Sequence, residues 1–223
     1  MSAGAHPTLR IPLILLAAAN LILLGMRLWP WQEVLNLPAN GTPAIDPAVC
    51  LVGYMALFFF IANTRNESTR KALSTAAVFG LLAGAILVLQ ILLKTQFVAD
   101  TFHPRMLRVG LLLAAGVVWG IAGLRGSKQG GSAGIGMLSG LWCAMVSALM
   151  ASSTILLQLY LATSLVPESS DPWKQYEGLA IGNAATQALV TSLNSATWFL
   201  LMGPIAGTAL ALLFSVFGQG KED

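Results

Sequence analysis

Aspartate and histidine are the residue types that relay protons and hold metals, and this chain of 223 residues places Asp100 and His103 three positions apart, beside Arg105 and Arg108. On a helix that spacing puts both side chains on one face. Two ligands do not complete a metal site, and the other histidine, His6, lies at the far end of the sequence. The expected arrangement is a capped, solvated loop in which Asp100 pairs with an arginine, with no metal and no cofactor. Cys50 and Cys143 fall within apolar runs, where a small buried thiol is ordinary and a disulfide between distant helices is not expected.

A second constellation is neutral. Asn183, Gln187, Thr191 and Asn194 follow steps of four, four and three, with Thr186 beside them and Ala184, Leu189, Val190 and Leu193 opposite. On a helix they form one polar stripe, which cannot face lipid tails. Two arrangements satisfy it. One is an amphipathic helix lying in the outer membrane interface, opened by Asp171-Pro172 and anchored by Trp173 and Tyr176; the other is a helix lining a polar cavity, where these four residues would be the path of a channel. The interfacial arrangement, over about 172–194, is the expectation because it absorbs length that a single crossing has no room for.

Other chemistry is missing from the sequence. It has no Walker sequence, no HExxH, no serine hydrolase elbow and no arginine-rich voltage sensor. Pumps and proton-coupled carriers keep ionisable residues within the membrane, and none stands at the middle of an apolar run here. An enzyme acting on lipid is the least supported reading, since the acid-base groups are so few.

The elements that position these residues are membrane spans. With 56% hydrophobic and 9% charged residues, the chain lacks the polar surface that keeps a soluble domain dissolved. The net charge of +3 comes from short basic groups between apolar runs, which report topology and not nucleic-acid binding. The fold class is therefore all-α, a polytopic transmembrane bundle in a single integral domain, 1–223. It has about six spans, at 11–28, 47–62, 72–93, 107–124, 136–160 and 196–217, each near the roughly 20 residues a bilayer requires.

Pro12 and Pro104 suit first helical turns, and Asp46-Pro47 reads as a cap followed by the first helical position. Ala17-Ala18-Ala19 resembles a cleavage site, but the apolar region before it is very short, so 11–28 is read as a retained span. Gly134 to Val166 would measure about 50 Å as one helix, so tilt, an extension or a break near Ser152-Ser153-Thr154 is expected. Between the stripe and the last span a break is expected within Asn194 to Thr197, with Gly203-Pro204 kinking the crossing helix.

Basic residues set the orientation. Under six spans, Arg10, Arg65, Arg70, Lys71, Arg125, Lys128 and Lys221 share one side, and Arg27, Lys94, Arg105, Arg108 and Lys174 the other. The excess places both termini in the cytoplasm, in a plasma or inner membrane. Asn40-Gly41-Thr42 and Asn66-Glu67-Ser68 match the glycosylation triplet but fall on opposite sides, and are read as chance.

The strongest pattern is a ridge of small residues every fourth position in the fifth span: Gly136, Gly140, Ala144, Ala148 and Ser152. Gly80 and Gly84, continuing Ala72 and Ala76, and then Gly116 and Gly120, repeat it in the third and fourth spans. Residues four apart share a face, so each ridge lets another backbone approach closely, which is how helices associate where no apolar effect drives them together. The function these features predict is structural or accessory: a membrane protein packing through its small-residue faces with itself or a larger complex, with membrane lipid as its solvent. A small channel or facilitator for water, ions or a neutral solute, lined by the Asn183 stripe, is the alternative.

Overall fold

The computed structural model describes residues 10–28, 45–62, 66–96, 102–161 and 184–219. Among them the chain forms six helices and no strand: α1 (Arg10–Leu28), α2 (Ile45–Ala62), α3 (Glu67–Gln96), α4 (Phe102–Gly130), α5 (Ala133–Leu161) and α6 (Ala184–Gln219). Four of them, α3 to α6, are long and apolar enough to cross a membrane; the apolar parts of α1 (Ile11–Met26) and α2 (Ile45–Ile61) are shorter.

Contacts between helices fix their directions. Gly80 and Gly84 of α3 meet Val146 and Met150 of α5, so these two helices run parallel. Gly126 of α4 meets Ser139 of α5, and Trp119 meets Ser147, so α4 is antiparallel to α5. Asn20 of α1 bonds Ser153, and Leu24 shares a cluster with Leu156, giving α1 the direction of α5.

At the centre stands α5, with 72% of its apolar window buried against 28–39% for the other three long helices. Its neighbours carry large apolar side chains on their outer faces, among them Phe60 of α2, Val78 of α3, Leu113 of α4 and Ile205 of α6, each at least 60% exposed. A water-soluble protein rarely shows so continuous an apolar exterior, while lipid tails require one.

Helix ends follow local chemistry more than hydropathy. Asn66 caps α3, its Oδ1 accepting from the Ser68 amide at 3.1 Å and the Ser68 hydroxyl at 2.8 Å, so the residues of this triplet have a capping role. The helix therefore starts at Glu67 and takes in Arg70 and Lys71, ahead of the expected apolar start at Ala72. The segment after Leu124 likewise stays helical to Gly130. Gly131, at φ 70°, then turns the chain, a conformation that suits glycine. Ser132 receives the Ile135 amide on its hydroxyl at 3.3 Å and opens α5.

Of the three ways to absorb the length of the fifth span, a break near Ser152 is not the one taken. Helix α5 continues through Ser152-Ser153-Thr154 to Leu161, and the hydroxyls of Ser153 and Thr154 donate back to Leu149 and Met150 carbonyls. The expected break near Asn194 to Thr197 is corrected, since α6 runs unbroken from Ala184. Ser195 and Thr197 donate to the carbonyls of Thr191 and Leu193, and Leu189, Val190 and Leu193 are buried in a cluster with Leu24 and Leu156. That apolar face holds the first turns of α6 on the bundle, so no separate helix is needed there. Residues 172–183 lie outside the described residues.

Candidate functional site

Helices α5 and α6 meet along a seam of small residues. A Cβ built on Gly136 would collide with the Ser215 hydroxyl, one on Gly140 with the Ala211 methyl, and one on Gly207 with the Ala144 methyl; one on Gly203 would lie 3.0 Å from the Ala148 Cβ. Each step of four forward on α5 is thus matched by a step of four backward on α6, which is an antiparallel register. Backbones approach directly: a Cβ on Gly140 would stand 2.9 Å from the Gly207 carbonyl oxygen, and one on Gly207 3.2 Å from that of Gly140. Only residues without bulk allow helix axes this close.

The seam widens into a three-helix junction. Gly123 of α4 also abuts Ala211, and a Cβ on Gly136 would stand 2.7 Å from the Gly123 carbonyl oxygen. Gly116 and Gly120 of α4 receive Leu210 and Phe214 of α6, at 3.2 and 2.9 Å from a built Cβ. On the other flank of α5, a Cβ built on Gly80 would stand 2.7 Å from the Val146 Cβ, and one on Gly84 would collide with the Met150 side chain. Ser152, at the upper end of the ridge, is fully buried, and its hydroxyl has no hydrogen-bond partner among the described residues.

The matching ridge on α6, Gly203, Gly207, Ala211 and Ser215, is a feature the sequence reading missed. Its signal is the same four-residue step, which at Gly203 coincides with a Gly-Pro pair that also reads as a helix kink. Pro204 does lie inside α6. Lacking an N–H, it leaves the carbonyl of Leu200, four residues earlier, without its helical donor. The Tyr54 hydroxyl of α2 fills the gap, donating to the Leu200 oxygen at 2.8 Å. Tyr54 stacks edge-on against Phe58 with centroids 5.9 Å apart, and Phe58 against Trp142 at 5.0 Å, so an aromatic row carries α2 onto α5 and α6.

Two further polar contacts cross the interior. Trp119 Nε1 donates to Ser147 Oγ at 3.0 Å, and Ser147 donates on to the Ala144 carbonyl at 2.9 Å. Asn20 Nδ2 donates to Ser153 Oγ at 2.8 Å and to the Leu16 carbonyl. These bonds join α4 and α1 to the central helix and satisfy groups that lipid cannot.

Of the polar stripe, Asn183 lies outside the described residues, and of Gln187 only the helical backbone is described. Thr191 is half-buried and Asn194 exposed, although Asn194 lies one turn on from buried Val190 on the same face of the helix. Of the two stripe residues whose side chains are described, Asn194 is thus open at the surface and Thr191 partly covered. Asp100 lies outside the described residues, and His103 falls within the first turn of α4. Among the described residues no three His, Cys, Asp or Glu side chains gather in a way that could hold a metal ion.

No family model, curated protein or solved structure matches the chain. The class is set by its own geometry: an all-helical protein with four helices long and apolar enough to cross a bilayer and an apolar exterior, which is a membrane protein.

Proposed function

We propose that the chain is an integral membrane protein of structural or accessory type, crossing a plasma or inner membrane six times with both termini in the cytoplasm. The observation that supports this most is the α5–α6 seam. Where a carrier or channel needs a polar or hydrated passage, the centre of this bundle is filled by glycine, alanine and serine in backbone contact, an arrangement suited to rigidity. Because these ridges are occupied by the chain's own helices, a second copy or a larger complex would meet the outer faces instead. A polar path along Asn183, Gln187, Thr191 and Asn194, the channel alternative, would open to the surface at Asn194.

Six crossings suit the alternating directions of α1, α3, α4, α5 and α6, and the basic residues of one end supply the orientation. Reporter fusions at Asp223 and Gly41 should report opposite sides, the first cytoplasmic. Liposomes carrying the purified chain should pass water, ions and small neutral solutes at the rate of empty liposomes. A flux that Asn194→Leu abolishes would replace this reading with the channel one.

A further inference from the structure

One end of the bundle, the cytoplasmic one under the topology proposed above, gathers four cations without an acidic partner among the described residues. Arg70 and Lys71 sit in the first turns of α3, and Arg125 and Lys128 in the last turns of the antiparallel α4; all four are exposed. None forms an ion pair with an acid among the described residues, and Glu67 is the one described acidic residue on these turns.

Arg125 is held in place. Its guanidinium carbon lies 5.3 Å from the centroid of the Phe79 ring on α3, a cation–π contact that fixes the charge beside the apolar belt while leaving its outward donors free. Lys128, three residues on, shares the face of Arg125 and lies about 4.5 Å nearer the end of the helix. Lys71 precedes Phe79 by eight residues, about 12 Å along α3. The cations thus stand at two levels, Arg125 beside the Phe79 ring and the other three farther toward the helix ends, within roughly one to two Debye lengths of each other.

We propose that this end binds the phosphate of an anionic membrane lipid, with Arg125 and Lys128 as the principal contacts and Arg70 and Lys71 adding attraction. Charge complementarity selects the ligand, and depth selects its source. A phosphate attached to acyl chains is delivered to the level of Arg125 while its tails cover exposed Val78 and Leu82 on α3; a free phosphate gains nothing from that apolar surface. A planar guanidinium pre-oriented on a ring gives two parallel donors to phosphate oxygens, and an ammonium one turn away adds a point charge.

The test is native mass spectrometry of the full chain from a neutral detergent, titrated with phosphatidylglycerol or phosphatidylcholine of equal chain length. Wild type should retain phosphatidylglycerol in preference. Each juxtamembrane cation contributes roughly a fivefold factor, so Arg125→Gln with Lys128→Gln should weaken that preference by roughly twenty-five-fold. Arg108→Gln, at the opposite end of α4, should leave it unchanged. Raising salt on the wild type should weaken phosphatidylglycerol retention, a readout that holds even if the double variant does not fold. The proposal is overturned by equal retention of the two lipids, by insensitivity to both the double substitution and salt, by an equal loss in Arg108→Gln, or by displacement of the lipid with millimolar inorganic phosphate.

Discussion

Tyr54 and Pro204 are far apart in sequence and join in one accounting of backbone hydrogen bonds. Proline at 204 removes the donor that would reach the Leu200 carbonyl, and the Tyr54 hydroxyl replaces it at 2.8 Å. Tyr54→Phe keeps the ring, which is 4% exposed and packed against Phe58, and deletes only the hydroxyl. A buried carbonyl left unpaired costs about 1–3 kcal/mol, while polar contacts inside membrane proteins average about 0.6 and reach about 1.7 kcal/mol. The expected loss is therefore about 1–2 kcal/mol. Pro204→Ala restores an N–H to Leu200, so Tyr54→Phe in that background should cost less than about 0.5 kcal/mol. Equilibrium unfolding of the four proteins in mixed micelles measures the coupling, expected near 1 kcal/mol. Equal costs of Tyr54→Phe in both backgrounds, within about 0.3–0.5 kcal/mol, would refute the exchange of donors.

Gly140→Leu should destabilise the bundle by about 3 kcal/mol or more, at the upper end of overpacking, because backbone as well as side chain stands in the way; Gly25→Leu, where nothing lies within 4 Å of a built Cβ, should be tolerated in the same thermal-unfolding assay. Ser147→Ala leaves the Trp119 N–H without its acceptor and should cost about 1–2 kcal/mol, with a shift in tryptophan fluorescence that Ser153→Ala does not produce.

The long apolar helices were legible in the sequence, four of them sufficient to cross a membrane, because lipid imposes a composition on every residue that touches it. Helix ends were less so. Hydropathy marks where hydrocarbon stops, and α4 continues beyond Leu124 to Gly130 because a helix in the headgroup region still satisfies its own backbone; what ends it is the turn at Gly131. The stripe before the last span was misread for a related reason. Length that one crossing has no room for pointed to a break near Asn194 to Thr197, but hydroxyls that bond along the helix and Leu189, Val190 and Leu193 packed with Leu24 and Leu156 keep α6 unbroken. The small residues of α5 are a local repeat and could be seen. Which helix they meet is a relation between distant segments, and so is the pairing of Tyr54 with Leu200, which no periodicity within α2 or α6 encodes.

The central claim is that the small-residue faces of α5 and α6 close on each other inside one chain. Cysteines at Ala148 and Gly203, in a background with Cys50→Ala and Cys143→Ala, test it most directly. A built Cβ on Gly203 lies 3.0 Å from Ala148 Cβ, a few tenths of an ångström inside the range a disulfide spans, which a small shift relieves. Mild oxidation in native membranes should link the pair within a single chain, leaving the protein at monomer mass on non-reducing gels and joining the two peptides after proteolysis. A covalent dimer, or cysteines that stay free under the same oxidant, would contradict it.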